Sequence, residues 1–523
     1  MNQNLSDWDD DLPPEPEEVY QDLLRALRRK SGFGLFFVQC TPVEADKFIV
    51  KLPQEIPQKK IAVLRFVEAI DNLYQPVAEF VKDKQIDILL IKGLEYSLYK
   101  YEKRSFGEIT EGQFSNLTSV PHILNHLNQQ RERFRDDFTI SFIFLLRSFS
   151  INYFIHRAPD FFDWRSGVFE LPTTPEVVDE ESSRLLDKKG YEEYFKLSRE
   201  KKIEKLLEIK DMLTEKFQTA SRKPSLLCEL GNLLITANEN EIAIASYDEA
   251  VKIQPDYHQA WYNRGIALGN LGRYEAAIAS YEEALKIKSD FHEAWNNRGN
   301  LLRNLGSYKA AIASYEEALK IQPNLHYLHL LWNNRGIALG NLGRYEEAIT
   351  SYEEALKIQP NYHLAWYGKG YILEKLGRYK SAITSYEEAL KIQPDYYLAW
   401  YDRGIVLENL GHYEAAINSY DQVLEIKPDD YLAWYAKGYA LVNSENYEQA
   451  IASYDQVLKL KPDAREAWYN KASCYALQGN IEQALENLQQ AINLSHEKYR
   501  EIAKSDSDFD SIREDERFQA LIQ

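Results

Sequence analysis

The sequence predicts a three-layer α/β domain with a mostly parallel sheet, followed by an all-α array of helical hairpins. Between about residues 17 and 171, apolar strand-like stretches alternate with helical stretches. This alternation is typical of α/β domains. Between about residues 224 and 494, the same residue types return every 34 residues, which is typical of stacked helical repeats.

The composition is that of a folded chain with no general attraction to phosphate groups. Hydrophobic residues make up 45% and charged residues 27% of the 523 residues, as in ordinary globular proteins. The formal net charge of −19 opposes binding to nucleic acid or anionic lipid. No secretory signal and no run of about 18 apolar residues occurs, so we expect a cytoplasmic protein with neither a nucleic-acid nor a membrane partner.

The cysteines give no sign of disulfide or metal chemistry. Cys40, Cys228 and Cys474 lie far apart in the sequence and have neither disulfide density nor metal-ligand spacing. We therefore expect them to be buried or incidental. The sequence predicts no metal site and no cofactor.

The first 171 residues divide into a tail and a domain. Residues 1–16 are acidic and proline-rich without a basic residue, which predicts a disordered tail. The α/β domain is predicted at residues 17–171. Its predicted strands are Gly34–Gln39, Ile61–Phe66, Ile86–Ile91 and Thr139–Leu146. Its predicted helices are Glu17–Arg29, Pro42–Lys51, Glu68–Val81 and Val120–Phe134.

This layout resembles the core of P-loop ATPases of the signal-transduction (STAND) and AAA-like kind. The resemblance implies a glycine-rich phosphate loop after the first strand and a magnesium-binding Asp after a later one. Residues Gln39 to Lys47 instead contain no glycine and no Gly-Lys-Ser/Thr, and Lys92 stands where the Asp is expected. We therefore predict a degenerate domain without catalytic residues. The alternative is a nucleotide-responsive signalling protein or enzyme in this domain, with the repeats as its sensor.

Tryptophan marks the first helix of seven repeats, and an earlier unit that begins at Pro224 has Leu227 where Trp is expected. Trp261, Gly265 and Leu268 are four and three residues apart, so they share one helix face. The small Gly265, with an alanine of the second helix, is expected to let the two backbones approach. Except for one step of 37 residues, the period is 34 residues in the series Trp261, Trp295, Trp332, Trp366, Trp400, Trp434 and Trp468.

The second helix of each repeat has the same regularity. Ala277, Tyr281 and Ala284 are again four and three residues apart, and Gly272 before them permits the chain reversal. A proline such as Pro360 follows most second helices and ends the unit. This pattern closely resembles the tetratricopeptide repeat (TPR). The resemblance implies a superhelical solenoid of eight hairpins at residues 224–494 that binds a protein or peptide partner.

Three further segments complete the predicted organisation. Residues 172–223 are rich in Glu, Lys and Leu and predict a linker of two charged helices broken at Gly190. Residues 495–523 predict a C-terminal capping helix. The longer step between Asn324 and Trp332 predicts a local change in superhelix pitch.

The first helices are expected to line the concave surface of the array and to bind an extended peptide. Side-chain amides recur two and nine residues after Trp, and an amide both donates to and accepts from a peptide backbone. Where the first series breaks, at Gly368, Asp402 and Ala436, tyrosines and acidic residues favour a basic or apolar segment. Alternatively, the amides serve packing between repeats. The candidate peptide-binding residues are Asn263, Asn270, Asn297, Asn304, Asn334, Asn341, Tyr367, Tyr371, Tyr401, Asn409, Tyr435, Tyr439, Asn443 and Asn470.

A third series places a cation three residues after each Trp. One interpretation is an anion-binding stripe. We favour the other, in which the aliphatic stems cover apolar surface and the charged heads pair with acidic side chains such as Glu282 and Glu283. The series consists of Arg264, Arg298, Arg335, Lys369, Arg403, Lys437 and Lys471.

Together these features predict a protein-interaction scaffold or adaptor rather than an enzyme. An extended peptide or partner segment is the expected ligand, and a small-molecule substrate is not expected. Helical repeats also occur in RNA-binding proteins, but the acidic balance and the lack of basic groove residues argue against RNA here.

Overall fold

The computed structural model describes residues 16–99, 121–171, 173–186, 191–215, 217–321 and 325–523. The chain forms two compact units, residues 1–289 and 290–523. The first contains the α/β domain, the linker helices and two hairpins, and the second contains six hairpins and the C-terminal cap. The predicted acidic tail lies outside the described residues except for Pro16, where the first helix begins.

A parallel five-stranded sheet forms the centre of the α/β domain, in the order β2-β3-β4-β1-β5. Strands β1, β3 and β4 are buried along nearly their whole length, as expected where helices cover both faces of a sheet. The predicted three-layer α/β class is thus confirmed. The strands are β1 (Gly34–Gln39), β2 (Ile61–Arg65), β3 (Ile88–Lys92), β4 (Ser141–Leu146) and β5 (Gly167–Glu170).

Helices pack on both faces of this sheet. On one face, Leu24 and Phe48 share a core with Val38. On the other, Phe37 of β1 packs edge-on against Phe154 of the helix Ser148–Arg157, with ring centroids 5.2 Å apart. The helices are α1 (Pro16–Arg29), α2 (Pro42–Glu55), α3 (Tyr74–Val81), α4 (Glu95–Tyr99), α5 (His122–Asp137), α6 (Ser148–Arg157) and α7 (Pro159–Phe162).

Two elements of this domain differ from the sequence prediction. Helix α3 begins at Tyr74 rather than Glu68, because the Ile70 amide donates to Ser97 Oγ instead of to a helical carbonyl. Strand β5 was not predicted. It has four residues whose burial alternates at the sheet edge, so it lacks the continuous apolar run of the central strands.

The linker contains three described helices where two were predicted. They are α8 (Pro175–Leu186), α9 (Tyr191–Phe195) and α10 (Arg199–Thr214). The extra boundary is set by Ser198, whose hydroxyl accepts from the Lys201 amide and caps α10.

The array begins with two hairpins in the first unit. Hairpin one consists of α11 (Lys223–Thr236) and α12 (Asn240–Ile253). Hairpin two consists of α13 (His258–Asn270) and α14 (Tyr274–Ile287).

Six more hairpins follow in the second unit. In hairpin four the first helix has 17 residues, against 13 in hairpin five, so the extra residues lengthen that helix at its start. The pitch change itself stays a prediction. In order, the helices of hairpins three to eight are α15 (His292–Asn304), α16 (Tyr308–Lys320), α17 (Leu325–Asn341), α18 (Tyr345–Ile358), α19 (His363–Lys375), α20 (Tyr379–Ile392), α21 (Tyr397–Asn409), α22 (Tyr413–Ile426), α23 (Tyr431–Asn443), α24 (Tyr447–Leu460), α25 (Arg465–Leu477) and α26 (Ile481–Leu494).

The C-terminal cap contains more than the single predicted helix. It consists of α27 (His496–Ser505), a 3-10 helix (Ser507–Ile512) and α28 (Glu516–Ile522). Asp506 and Asp515 cap the last two of these with their side chains, which divides the segment into short pieces.

Each of hairpins one to seven is closed by a glycine facing a tyrosine ring. A Cβ placed on Gly265 would lie 2.5 Å from Tyr281 Cε1, and one placed on Gly404 would lie 2.5 Å from Tyr420 Cε1. The first-helix glycine therefore makes room for the second-helix ring, rather than for close backbone approach as predicted. Gly272 has a φ of +72°, in agreement with its predicted role in the chain reversal.

The tryptophans are half-buried rather than fully buried core residues. In five hairpins the indole N–H donates to the carbonyl of the proline six residues earlier, at 2.9 Å for Trp261 and Pro255. Tryptophan and proline thus fix the connection between consecutive hairpins. The alanine of the second helix, such as Ala277, is fully buried as predicted.

Candidate peptide-binding surface

A cavity of about 420 Å³ opens between the first helices of hairpins four and five. Its volume falls in the range of about 300–1,000 Å³ that is usual for ligand pockets. Aliphatic, aromatic and amide side chains line it together with two glycines. The lining residues are Asn333, Ile337, Gly340, Asn341, Tyr352, Leu364, Tyr367, Gly368, Tyr371, Ile372 and Tyr396.

The two glycines create this cavity. Gly368 stands two residues after Trp366, where several other hairpins have Asn. A Cβ on Gly368 would lie 2.6 Å from Tyr352 Cζ, and one on Gly340 would lie 2.7 Å from Ile372 Cδ1. Any larger residue at either position would press on the wall, so the space depends on both glycines.

Tyr352 carries a hydroxyl without a hydrogen-bond partner among the described residues. Its side chain is 3% exposed and lines the cavity. The equivalent tyrosines of other hairpins are bonded, as Tyr386 donates to Glu374 at 2.9 Å and Tyr420 to Glu408 at 2.7 Å. Hairpin four has Gly340 at the position of those glutamates, which leaves the Tyr352 hydroxyl unmatched.

Asn333 is a second unmatched polar group in the wall. The side chain is 4% exposed, and its Oδ1 has no hydrogen-bond partner in the described part of the chain. A buried polar atom without a partner costs about 1–3 kcal/mol. A bound segment that offers a donor at this wall would recover that energy.

A carboxylate adjoins the cavity through a shared tyrosine. Tyr367 lines the cavity, and its hydroxyl donates to Asp402 Oδ2 at 2.8 Å. Desolvation raises the pKa of Asp402 from its usual 3.8 to about 6, with Glu374 adding to the rise and the Tyr367 hydrogen bond and the Lys375 charge opposing it. The ionised form of Asp402 is therefore held at a cost.

Exposed and edge-packed aromatic groups continue the wall. Tyr371 is 42% exposed and Leu364 is 38% exposed. The Tyr396 ring packs edge-on against Tyr367 with centroids 5.1 Å apart, and His363 packs against Tyr396 at 5.2 Å. Rigid aromatic surface of this kind gives large contact area at low cost in side-chain entropy.

The amides two residues after Trp connect neighbouring hairpins. Asn263 Nδ2 donates to Asn232 Oδ1 at 2.7 Å, and the residue is buried. Asn334 Nδ2 donates to Asn300 Oδ1 at 3.2 Å, and Asn470 Nδ2 to the Tyr435 hydroxyl at 3.0 Å. These contacts match the alternative stated for this series, packing between repeats. Asn297 is half-buried and accepts from Asn296 at 3.3 Å.

The amides nine residues after Trp are exposed. Asn270 Nδ2 donates to Asn240 at 3.2 Å, and Asn443 Nδ2 donates to the Tyr439 carbonyl at 2.9 Å. Of this series, Asn341 is the residue that lines the cavity. The exposed members of the series are Asn270, Asn304, Asn341, Asn409 and Asn443.

The remaining candidate tyrosines lie in later hairpins. Tyr401 and Tyr435 pack on second-helix tyrosines, each with ring centroids 5.8 Å apart. Tyr439 is 49% exposed. The structure therefore brings Asn341, Tyr367 and Tyr371 together at one cavity and places the other candidates elsewhere along the array.

Several residues of the cavity were not among the sequence candidates. Tyr352 has the same position as the core tyrosine of six other hairpins, so the pattern marks it as core. In the sequence, Gly368 stands out only because it interrupts the series of amides two residues after Trp. The signal available in the sequence was the coincidence of Gly340 and Gly368 around one tyrosine.

Six of the seven cations three residues after Trp pair with second-helix carboxylates, as the favoured interpretation predicts, and Arg298 donates to Ser314 Oγ at 2.6 Å. Arg403 Nη2 lies 2.9 Å from Glu387 Oε1, and its Nη1 donates to Ser419 at 2.7 Å. Each guanidinium also lies over its own indole, with Arg403 5.7 Å from the Trp400 ring centroid. The other acidic partners are Asp248 for Arg264, Glu316 for Arg335, Glu353 for Lys369, Asp421 for Lys437 and Asp455 for Lys471.

At the carboxyl ends of the α/β strands, carboxylates of the chain itself occupy the start of α2. The Val43 amide donates to Glu181 Oε1 at 3.0 Å, and the Thr41 amide donates to Glu44 Oε2 at 2.6 Å. A helix start after the first strand is where phosphate binds in many α/β proteins. Glu181, 2% exposed, takes this position here.

Arg147 follows β4 at the same edge and is also paired within the domain. It is 5% exposed and forms ion pairs with Glu208 and Asp211 of α10. Its Nε has no hydrogen-bond partner among the described residues. Two cavities beside it measure about 170 and 190 Å³, below the usual range for ligand pockets.

Acidic side chains surround this arginine. Burial raises the pKa of Glu95 to about 7 and that of Glu204 to about 8. Burial also raises the pKa of Cys40, which lines both cavities. Within the ranges that the structure describes, no three His, Cys, Asp or Glu side chains are grouped so as to hold a metal ion.

Among the described residues, no helix has the length and apolar character required to cross a membrane. All three cysteines are buried and unpaired.

A model of the tetratricopeptide repeat family matches the array. The matched residues are 228–290, 265–326, 333–397, 375–431, 401–443 and 435–497, and together they cover about half of the chain. No curated protein matches.

The array is also similar to solved structures. The crystal structure of YrrB, described as a TPR protein with an unusual peptide-binding site, shares 24% identity over 36% of this chain and 97% of that one, with a TM-score of 0.32. The C-terminal part of a TPR protein from Cytophaga hutchinsonii shares 18% identity over 46% and 98%, with a TM-score of 0.42. MamA from Desulfovibrio magneticus shares 24% identity over 34% and 97%, with a TM-score of 0.31.

Proposed function

Because the chain belongs to the tetratricopeptide repeat family, we propose that it is a protein-interaction scaffold that binds an extended partner segment on the first helices of hairpins four to six. The cavity between hairpins four and five serves as the anchor for an apolar side chain of that segment. Asn341, Tyr367 and Tyr371 are its contact residues among those expected from the sequence. We do not assign contact to Asn263, Asn334 or Asn470, since their amides are engaged between hairpins.

One observation supports this proposal above the others. The cavity combines apolar surface with the buried Asn333 Oδ1, which lacks a partner among the described residues, and with the Tyr352 side chain in its wall. Specific pockets have this composition, mostly apolar walls with a few placed polar groups. An extended backbone supplies both donors and acceptors, and an apolar side chain fills the space.

The proposal assigns no enzymatic role to the α/β domain. The P-loop resemblance stays a prediction from the order of elements. The start of α2 receives Glu181, and Arg147 is paired with Glu208 and Asp211, so a triphosphate would have to displace three carboxylates. We propose that this domain is a second docking body.

The test is a selection of random linear dodecapeptides on the full chain. Peptides that bind should carry a large apolar residue. Leu364→Asp, which places a charge at the exposed edge of the cavity, should lower the affinity of the chain for these peptides at least about tenfold. Leu432→Asp is the matched control, because Leu432 occupies the same position in hairpin seven and is equally outside the core at 49% exposure.

Two results would count against the proposal. One is a selection that yields no binder. The other is equal weakening of the selected peptides by Leu364→Asp and Leu432→Asp, which would indicate contact that does not depend on the cavity. For the nucleotide alternative, equilibrium binding of ATP or GTP with magnesium to the full chain should show no saturation at millimolar nucleotide. Saturable binding would favour a switch in the α/β domain.

A further inference from the structure

Asp402 forms no direct ion pair with a cation of the described chain, and Lys375, which attracts it from farther away, pairs with Glu374. Its hydrogen bond comes from the neutral hydroxyl of Tyr367. Arg403 is adjacent in sequence, but it pairs with Glu387 and Ser419 on second helices. In hairpins two, four and eight, the same position after Trp holds an uncharged Asn, so the charge is a specific feature of hairpin six.

The surroundings of Asp402 add further negative charge. Glu374 accepts from Tyr386, and Glu408 accepts from Tyr420. Lys375 is the cation nearby, and its Nζ lies 3.5 Å from Glu374 Oε1 and 4.8 Å from the Tyr371 ring centroid. Glu374 and Asp402 thus share one nearby ammonium group, which pairs directly with Glu374 rather than with the half-buried Asp402.

We propose that the partner segment carries a lysine or arginine that pairs with Asp402 while a neighbouring apolar side chain occupies the cavity. This inference rests on the proposed function. An unpaired, half-buried carboxylate gains more from a cation than an exposed one does, because the surrounding protein screens the interaction less. The exposed face of Tyr371 offers a further contact for the cation.

The shared wall limits the spacing of the two partner residues. Tyr367 lines the cavity with its ring and bonds Asp402 with its hydroxyl, so the two subsites are one side chain apart. In an extended peptide, side chains on the same face are two residues and about 6.5–7 Å apart. We therefore expect the basic residue within about two positions of the apolar one.

A buried polar group in the cavity wall is a second, independent indication that a peptide binds at this site. Asn333 is only 4% exposed, and its Oδ1 lacks a hydrogen-bond partner in the described part of the chain. It lines the cavity. A peptide N–H beside the apolar anchor would supply the missing donor.

The experiment uses the dodecapeptides selected on the full chain. Each peptide is compared with an analogue in which its basic residue is glutamine, on the wild-type chain and on Asp402→Asn. Hairpins four and eight have Asn at the equivalent position, as Asn334 and Asn470, so the repeat fold accommodates this substitution. Asp395→Asn is the matched control, since it removes the same charge from an exposed site just before α21.

We expect Asp402→Asn to lower the affinity for the parent peptides at least about tenfold, and Asp395→Asn to lower it at most about twofold. The glutamine analogue should bind the wild-type chain as weakly as the parent binds Asp402→Asn, with no further loss when both changes are combined. That pattern identifies one pair rather than a general charge effect.

Two outcomes overturn the inference and are distinct from failure of the proposed function. If parent peptides bind wild type and Asp402→Asn equally, or if the selected peptides lack a basic residue, the cation subsite is wrong. Sensitivity of the same peptides to Leu364→Asp would still support the anchor cavity. A selection without binders, or binders insensitive to both substitutions, contradicts the two proposals together.

Discussion

The edge of the α/β sheet and the cavity of the repeats handle buried polar groups in opposite ways. At the sheet edge, Arg147 and the start of α2 are paired with carboxylates from α8 and α10. In the cavity, the buried Asn333 Oδ1 lacks a partner among the described residues, and Asp402 beside the cavity forms no direct ion pair with a described cation. A closed network stabilises a domain, whereas an open one leaves free energy for a ligand to recover.

The largest expected effect lies in the closed network. Arg147→Met should lower the free energy of unfolding of the α/β domain by about 2–3 kcal/mol, because it leaves Asp211 without this cation, while Glu208 keeps its ion pair with Arg184. Since a chain of several units does not unfold in two states, the measurement is hydrogen exchange of the β4 amides in the full chain.

Arg131→Met is the control for this loss. Arg131 Nη1 lies 3.5 Å from Asp160, and both groups are partly exposed, so its removal should cost less than about 1 kcal/mol. Similar protection of β4 in wild type and Arg147→Met would show that the network contributes little to stability.

An effect of the opposite sign is expected in the open site. The pKa of Asp402 is about 6 in the folded chain and 3.8 as its usual value, so the folded state holds the proton more tightly. Stability conferred by that proton is present below about pH 4 and is lost as the pH rises through 6. Asp402→Asn should therefore raise the free energy of unfolding at pH 7 by about 1–2 kcal/mol, after allowance for partial solvent screening.

Hydrogen exchange of the α19 and α21 amides in wild type and Asp402→Asn at several pH values measures this difference. The two chains should approach equal stability near pH 4 and diverge towards pH 7. A stability difference that does not change with pH would contradict the assignment to Asp402. A variant that is more stable yet binds the selected peptides more weakly would show that the unpaired charge is kept for binding.

The smallest expected effects on stability come from removing the hydroxyl of two tyrosines at the same repeat position. Tyr420→Phe removes a hydrogen bond of 2.7 Å to Glu408 and should cost about 1 kcal/mol. Tyr352→Phe removes a hydroxyl without a partner in the described chain, so it should be neutral or slightly stabilising. Thermal unfolding of both variants tests this ordering, and equal losses would mean that Tyr352 is bonded as its counterparts are.

Sequence periodicity was sufficient for the repeats and for most of the sheet. Trp261, Gly265 and Tyr281 return with a fixed spacing, and a fixed spacing determines which side chains share a helix face. The central strands were predicted because buried parallel strands are continuous apolar runs. Strand β5 and the late start of α3 were missed, since the first is an alternating edge strand and the second depends on Ser97, distant in sequence.

The cavity was less predictable than the surface on which it lies. Tyr367 and Tyr371 were expected from their positions after Trp366. The space itself results from two glycines and a tyrosine on three different helices, and its existence depends on distances of a few ångströms that spacing does not encode. For the same reason, the pattern did not distinguish Asn341 at the cavity from Asn334, whose amide bonds Asn300.

Both ends of the hairpin array are covered. At the start, α11 packs against α9 and α10, and Tyr194 donates to Glu229 at 2.6 Å. At the finish, Tyr469 donates to Asp506 at 2.6 Å and Ser511 donates to the Ala476 carbonyl. Identical hairpins can in principle add to one another without limit, because each free end presents the surface that the next hairpin recognises. With each end occupied by a different sequence, the length of the array is set, and two copies of the chain cannot join end to end into a fibre through these surfaces.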